Sequence, residues 1–269
     1  MSRVVRRARG MMKRLPILAS RVPTKDRVSP ESRISGFTFT ELLVVVALGT
    51  VLVGTILPTL NTTSDTAKAA ACLANMHEWG LAISLYCEDW NDYIPPEGSG
   101  SPASCCPYAW YNVVPPYIGA KSLIVLYANN QGPTARTKSI YSCPSDLNCP
   151  DHPTDANPYY MYGMNGRMDP NGSGLFKRSQ SVKPSETIMF CENEGTFSAT
   201  NGKYCPARHN GGGNFTFVDG HANWLQFQDY CRAGNPGCTS TLIENDSSSA
   251  GDWKTGVKYH WFPYKYAST

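Results

Sequence analysis

The chain has 269 residues, with 24 Lys+Arg against 21 Asp+Glu, ten Cys, and 23 Gly beside 20 Pro, a length that fits one domain with appendages rather than two large domains. Charged residues make up 17% and aromatics 11%, which excludes intrinsic disorder for the bulk of the chain and any dependence on a highly charged surface. The charge is uneven: residues 1–36 hold ten Lys/Arg and two acids, so the remainder carries about −5. A basic head on an acidic body argues against a nucleic-acid binder and for a topology signal.

The basic stretch leads straight into an apolar one. From Leu42 to Leu57 (LLVVVALGTVLVGTIL) there is no charge, and the helix from Phe37 to Leu60 would be roughly 36 Å long, enough to span a bilayer. Two readings stay open at this point. One is an ordinary cleaved secretory signal, with Ala67–Ala69 or Ala69–Ala71 as loose A-x-A sites and a mature N-terminus near Ala70. The other is a retained anchor whose leader alone is removed. Glu41 bears on the choice, because it is the sole charge between Phe37 and Leu60 and a carboxylate in an apolar phase costs on the order of 2–3 kcal/mol unless something neutralises it. It either sits at the headgroup interface or meets a cation, such as the amine that cleavage after Gly36 would free on Phe37 of a neighbouring chain.

Beyond Pro58 the pattern becomes that of an amphipathic helix. Cys72, Met76, Trp79, Ile83, Tyr86 and Trp90 recur at steps of four and three, drawing one apolar stripe that needs a partner surface. The spacing predicts an interrupted helix from Phe37 to Asp89, ending near Asn91-Asp92 ahead of Pro95-Pro96. A Met and aromatic stripe of this kind reads as core rather than as a cofactor box. The rest of the chain consists of short runs punctuated by Pro, Gly and Asn, which suits small strands and long loops. Thr187–Cys191 reads as a short strand. Asn214–Val218, Asp219-Gly220 and His221–Leu225 read as a hairpin on a two-residue type I′ turn, with Phe215 and Phe217 sharing a face with Ala222 and Trp224. Together these pieces predict an α+β fold: a long N-terminal helix, transmembrane in its first half, packed on a small antiparallel sheet in a roll with disulfide-rich loops.

The segment Ser35–Ala47 (SGFTFTELLVVVA) resembles the class III signal of type IV pilins and type II secretion pseudopilins: Gly36 at the cut, Phe37 first in the mature chain, Glu41 fifth. Pro58 falls where that family places a helix-bending proline. Cys72–Tyr93, Tyr141–Asp146 (YSCPSD), Tyr162–Asn165 (YGMN), Val182–Thr187 (VKPSET) and Arg208–His221 resemble a large bacterial group of pilin-like proteins with an H-x9-D-G signature, which His209, Asp219 and Gly220 match. The resemblance implies a cleaved leader (1–36), a membrane and filament-core helix (37–60), its amphipathic continuation (61–91) and a periplasmic or extracellular head (92–269). It implies cleavage between Gly36 and Phe37 by a prepilin peptidase that also N-methylates Phe37. Further implied partners are identical or related pilin-like subunits, an assembly platform and an ATPase, at the inner membrane with the N-terminus cytoplasmic. The 36-residue leader is longer than in many members, and Met1, Met11 and Met12 are alternative starts.

Chemistry is less legible. There is no G-x-S-x-G, H-E-x-x-H or G-x-x-x-x-G-K pattern, so no enzyme is expected. His209, Asp219 and His221 suggest a metal site, but a turn explains Asp219 without one. Asp146 with Asp151, or Glu192 with Glu194, are calcium candidates, since pseudopilin heads often carry that ion; otherwise no cofactor is expected. The ten cysteines (72, 87, 105, 106, 143, 149, 191, 205, 231, 238) read as oxidised pairs on a segment facing the periplasm. Zinc is the alternative, without a C-x2-C spacing to recommend it. Cys72 and Cys87, about 22 Å apart on one helix, cannot pair with each other. Cys72–Cys143 resembles the family's helix-to-CPSD staple, and Cys191–Cys205 and Cys231–Cys238 are candidate loop closures.

The tail Val257–Tyr266 alternates aromatic with basic residues, as a last strand against the core or as an exposed recognition strip. The sequence thus points to a structural subunit of a type II secretion pseudopilus or type IV-pilus-like filament. The alternative is a surface binding module for a glycan or protein that uses the pilin pathway only for export.

Overall fold

The computed structural model describes residues 36–98, 106–168, 176–195, 197–200, 202, 204–232, 236–239, 257–261 and 263, without the side chains of 55–62. Cys105 therefore falls outside what is described, while the backbone at Pro58, the expected kink, lies inside one continuous helix. The chain divides into two units, Met1–Val51 and Leu52–Thr269.

Helix α1 covers Phe39–Asp89. Thr38 starts it as one half of a reciprocal cap: the Thr38 amide and hydroxyl donate to Glu41 Oε2 at 2.9 and 2.8 Å, and the Glu41 amide donates back to Thr38 Oγ1 at 3.3 Å. This satisfies amides that a helix start leaves unpaired, and puts the acid at the positive end of the helix dipole. The helix stops where Asn91 and Asp92 adopt positive φ (52° and 70°) and the Asp92 amide reaches back to the Cys87 carbonyl at 2.7 Å, an ending of the left-handed type.

In the larger unit five strands form one sheet in the order β3-β1-β2-β4-β5: β1 Tyr162–Asn165, β2 Ile188–Glu192, β3 Ala199–Thr200, β4 Gly212–Phe217 and β5 Ala222–Gln226. Short helical pieces α2 (Trp110–Val113), α3 (Leu123–Ala128) and α4 (Phe227–Tyr230) fill the connections. The expected all-antiparallel sheet is corrected here. β1 pairs antiparallel with β2 but parallel with β3, through Met164↔Ala199 and Asn165↔Thr200. The chain leaving β2 turns at Gly195 (φ 135°) and wraps the start of β1, where the Tyr160 amide donates to the Gly195 carbonyl at 2.9 Å. It emerges on the far side of β1, running the same way.

The transmembrane half of the expected fold is corrected too, and with it the single-pass inner-membrane placement: among the described residues no helix is long and apolar enough to cross a membrane. Within the described stretch Thr38, Thr40, Glu41 and Thr50 interrupt the apolar side chains, and Asp65 and Lys68 put charge on the helix beyond it.

The sheet is covered on both faces. On one, the α1 stripe Cys72, Met76, Trp79, Ile83 and Tyr86 is buried with Trp110, Tyr141, Tyr162 and Phe190, and Trp79 lies edge-on to Trp110 at 4.9 Å. Trp90, the last position of the predicted stripe, lies beyond the helix and is 56% exposed. On the other, Ile188, Phe215, Phe217 and Leu225 meet Tyr230, Tyr259 and Trp261. The tail segment runs beside the residues entering β2, its His260 amide donating to the Glu186 carbonyl (2.8 Å) and the Ile188 amide to the His260 carbonyl (2.9 Å).

The β4–β5 hairpin is present, with a register one residue off the expectation. Thr216 faces Ala222 and Phe215 faces Asn223, while the Phe217 amide donates to the His221 carbonyl and the Gly220 amide to the Phe217 carbonyl, both at 2.9 Å. Asp219 keeps a negative φ and only Gly220 is left-handed (φ 92°). The loop is thus the three-residue kind, a type I turn closed by a left-handed glycine. A one-residue slip exchanges faces: Phe215 and Phe217 turn away from α1, and Asn214 and Thr216 turn toward it. The I′ geometry occurs instead at Asn210-Gly211, where both φ are positive (51° and 77°) and His209 and Gly212 exchange amide-to-carbonyl bonds of 3.0 Å.

Candidate functional site

Four chemistry-bearing side chains meet between α1 and the sheet. Cys72 comes from the α1 stripe, Cys143 from the turn after Tyr141, Glu192 from the last residue of β2 and His209 from the first corner of the Asn210-Gly211 turn. Their donor atoms all lie within 4.8 Å of one another, and all four residues are buried. The Cys72 Sγ donates to Cys143 Sγ at 2.8 Å, Cys143 Sγ lies 3.7 Å from His209 Nε2, and His209 Nε2 lies 2.7 Å from Glu192 Oε1.

Each member is held by its own element. Asn75, one turn along from Cys72, donates to the Ser142 carbonyl at 2.9 Å and to Tyr162 Oη at 3.1 Å, and Trp79 Nε1 donates to the Ile140 carbonyl at 3.0 Å. The Cys143 turn is thereby fixed to α1. Asn214 on β4 holds the Glu192 carboxylate, its amide donating at 3.2 Å and its Nδ2 at 3.0 Å. Arg208, next to His209, donates to Asp146 Oδ2 at 2.7 Å and to the Asn193 carbonyl at 2.8 Å, tying the His209 turn to the residues beside Cys143 and Glu192. Trp224 Nε1 caps the His209 carbonyl at 2.7 Å.

The electrostatics follow from burial. Removal from water disfavours the His209 cation, but the Cys143 and Glu192 contacts outweigh it and push the ring up to about 9. The bond from Cys72, with burial behind it, holds the Cys143 thiol well above its ordinary value.

The structure brings together only some of the residues singled out in the sequence. Of the H-x9-D-G signature, His209 enters the cluster. Asp219 and His221 stay outside, bonded to each other at 2.6 Å (Oδ1 to Nδ1), with the His221 ring stacked on Phe217 at 4.3 Å. Gly220 instead lies against Gly80 of α1. The four calcium candidates have separate engagements: Asp146 with Arg208, Glu192 with His209 and Asn214, Glu194 with Asn148 Nδ2, while Asp151 is exposed. Gly36 and Phe37 lie ahead of α1, with Phe37 74% exposed.

Two expected bridges are formed, Cys191–Cys205 (Cα–Cα 6.5 Å) and Cys231–Cys238 (5.8 Å), and Cys106 is also disulfide-bonded. The expected Cys72–Cys143 bridge is corrected: the two sulfurs are neighbours but free thiols, as are Cys87 and Cys149. Tyr259, His260 and Trp261 of the tail are buried, which removes them from an exposed recognition strip. An open groove of about 1050 Å³ runs beside α1, lined among others by Asn75, Glu78, Tyr117, Arg136 and Lys138, and it gathers no comparable set of ligating groups.

No family model matches the chain, and no match is found among curated proteins or solved structures. What the fold and the site define is a class: an α+β domain with a buried cluster of two cysteines, one histidine and one glutamate between the second half of α1 and the sheet.

Proposed function

We propose that this chain is a structural subunit of a pilin-like filament, of the type II secretion pseudopilus or type IV-pilus kind, that assembles by packing the start of α1 against the same helix of neighbouring copies. The observation that carries the reading is the condition of that helix start. Phe37, Phe39, Leu42, Leu43, Val44, Val45, Val46, Leu48, Val51, Leu52 and Val53 are each more than half exposed, so apolar side chains line the helix all round. A helix apolar on every side requires cover on every side, and neighbouring copies of the same helix supply it with no other partner.

The sequence Gly36-Phe37 with Glu41 supports processing by a prepilin peptidase, and an assembly platform and ATPase are the corresponding partners. In the filament the Phe37 amine of one subunit meets the Glu41 carboxylate of the next, which in the single chain accepts from Thr38. Mass spectrometry of the protein from its native host tests the reading, with electron microscopy of sheared material. A first residue of N-methylated Phe37, and fibres that Glu41→Ala abolishes without blocking cleavage, are expected. A different first residue, or fibres at wild-type levels from Glu41→Ala, would overturn it.

A further inference from the structure

We propose that Cys72, Cys143, Glu192 and His209 form a structural zinc site that clamps α1 to the sheet. A tetrahedral ion with bonds of about 2.0–2.3 Å needs its ligand atoms roughly 3.3–3.8 Å apart. The Cys143 Sγ to His209 Nε2 separation of 3.7 Å already meets this, the Sγ–Sγ pair at 2.8 Å and the Nε2–Oε1 pair at 2.7 Å would open by about an ångström or less each, and the wider separations, within 4.8 Å, would close by about an ångström at most. The donor set selects the metal. Two thiolates and an imidazole favour zinc over calcium or magnesium, which take oxygen ligands. Four protein donors close the coordination sphere, the hallmark of a structural site rather than a catalytic one.

The surroundings fit a ligand shell. Asn214 orients the Glu192 carboxylate with two donors, as outer-shell partners of metal ligands do. Arg208 places a buried cation, ion-paired to Asp146, next in sequence to His209. A site of two thiolates, one carboxylate and Zn²⁺ carries one net negative charge, and the nearby guanidinium dipole of the Arg208–Asp146 pair faces it without neutralising it. A disulfide between Cys72 and Cys143 would account for the two sulfurs and leave His209 and Glu192, 3% and 1% exposed, as a buried ion pair that takes no part in holding α1. With zinc all four become ligands, and the two thiol protons together with the proton on His209 Nε2 leave to solvent.

The test uses the full chain, purified with a non-thiol reductant. Elemental analysis is expected to give one zinc per folded chain. Replacement by Co²⁺ is expected to give the visible absorption of a tetrahedral ion and a thiolate-to-cobalt charge-transfer band. His209→Ala should lose both; Asn214→Ala should keep the spectrum and weaken zinc about 10–100-fold; His221→Ala should change neither. If His209→Ala does not fold, the wild-type metal content and cobalt spectrum decide alone. A folded, reduced wild-type chain that takes up no stoichiometric zinc, or peptide mapping of the native protein that finds Cys72 joined to Cys143, overturns the proposal. Filament formation is scored separately, so the failure of either reading leaves the other standing.

Discussion

The two ends of α1 carry apolar side chains to opposite fates. From Phe39 to Val53 every large apolar residue is more than half exposed, whereas Cys72, Met76, Trp79 and Ile83 are fully buried. What separates them is pattern rather than hydrophobicity. The first stretch is apolar on all sides and offers no polar face to water, so one neighbouring surface cannot satisfy it. The second confines its apolar residues to one stripe, which one sheet face covers completely. Changes in the first stretch should therefore act on association, and changes in the second on folding.

The largest effect expected is at Trp79, whose ring meets Trp110, Tyr141 and Phe190. Trp79→Ala should cost about 3–5 kcal/mol in urea unfolding; a loss under about 1 kcal/mol would mean that the stripe is not the main attachment. Next is Gly80, where an added methyl would overlap the Gly220 carbonyl oxygen. Because the obstacle is backbone, Gly80→Ala should cost about 1–3 kcal/mol, while Gly49→Ala, which meets nothing within 4 Å, should be neutral or stabilising.

Acidification probes the opposite sheet face. His260 is pulled down to about 4, chiefly by burial and then by Lys183, against the opposing pull of Glu186. Because the unfolded chain takes the proton first, at about 6.5, stability present above that pH is lost as pH falls toward 4. The loss should be on the order of 2 kcal/mol, and unfolding midpoints that do not move between about pH 7 and about pH 5 would refute it.

Smaller still is Thr216→Val, which removes a 2.6 Å bond from Thr216 Oγ1 to the Met76 carbonyl and should cost about 1 kcal/mol. At the bottom of the scale, Val45→Ser should leave stability within about 0.5 kcal/mol yet shift the chain toward monomer in sedimentation. An equal fall in stability would erase the distinction between the two stretches.

The α1 stripe was legible because a period near 3.6 is local, and the β4–β5 hairpin because alternation and a D-G pair are local too. Its register was not. Asp219-Gly220 serves a two-residue turn and a three-residue loop equally well, and the choice rests on whether Asp219 takes positive φ, which its identity leaves free. The N-G pair at 210–211 was a stronger I′ signal and marks the turn that presents His209. The cluster was out of reach: Cys72 and Cys143 are 71 residues apart, and Glu192 and His209 come from a strand end and a turn whose meeting depends on the sheet order. The resemblance to pilin-like proteins put the two cysteines side by side but as a bridge, and nothing in the spacing brought Glu192 or His209 to them. The parallel β1–β3 pair escaped because Ala199–Thr200 is too short to show a pattern.

Gly80 on α1 and Gly220 at the hairpin tip approach with no side chain between them, Gly220 also lying under Ser84. That bare contact acts as a key in a slot. Sliding the helix along the sheet by one residue, or turning it by one position, would drive Trp79 or Leu81 into the tip. The helix can therefore dock at one longitudinal setting only, because a main-chain contact, unlike a side chain, has no rotamer with which to yield.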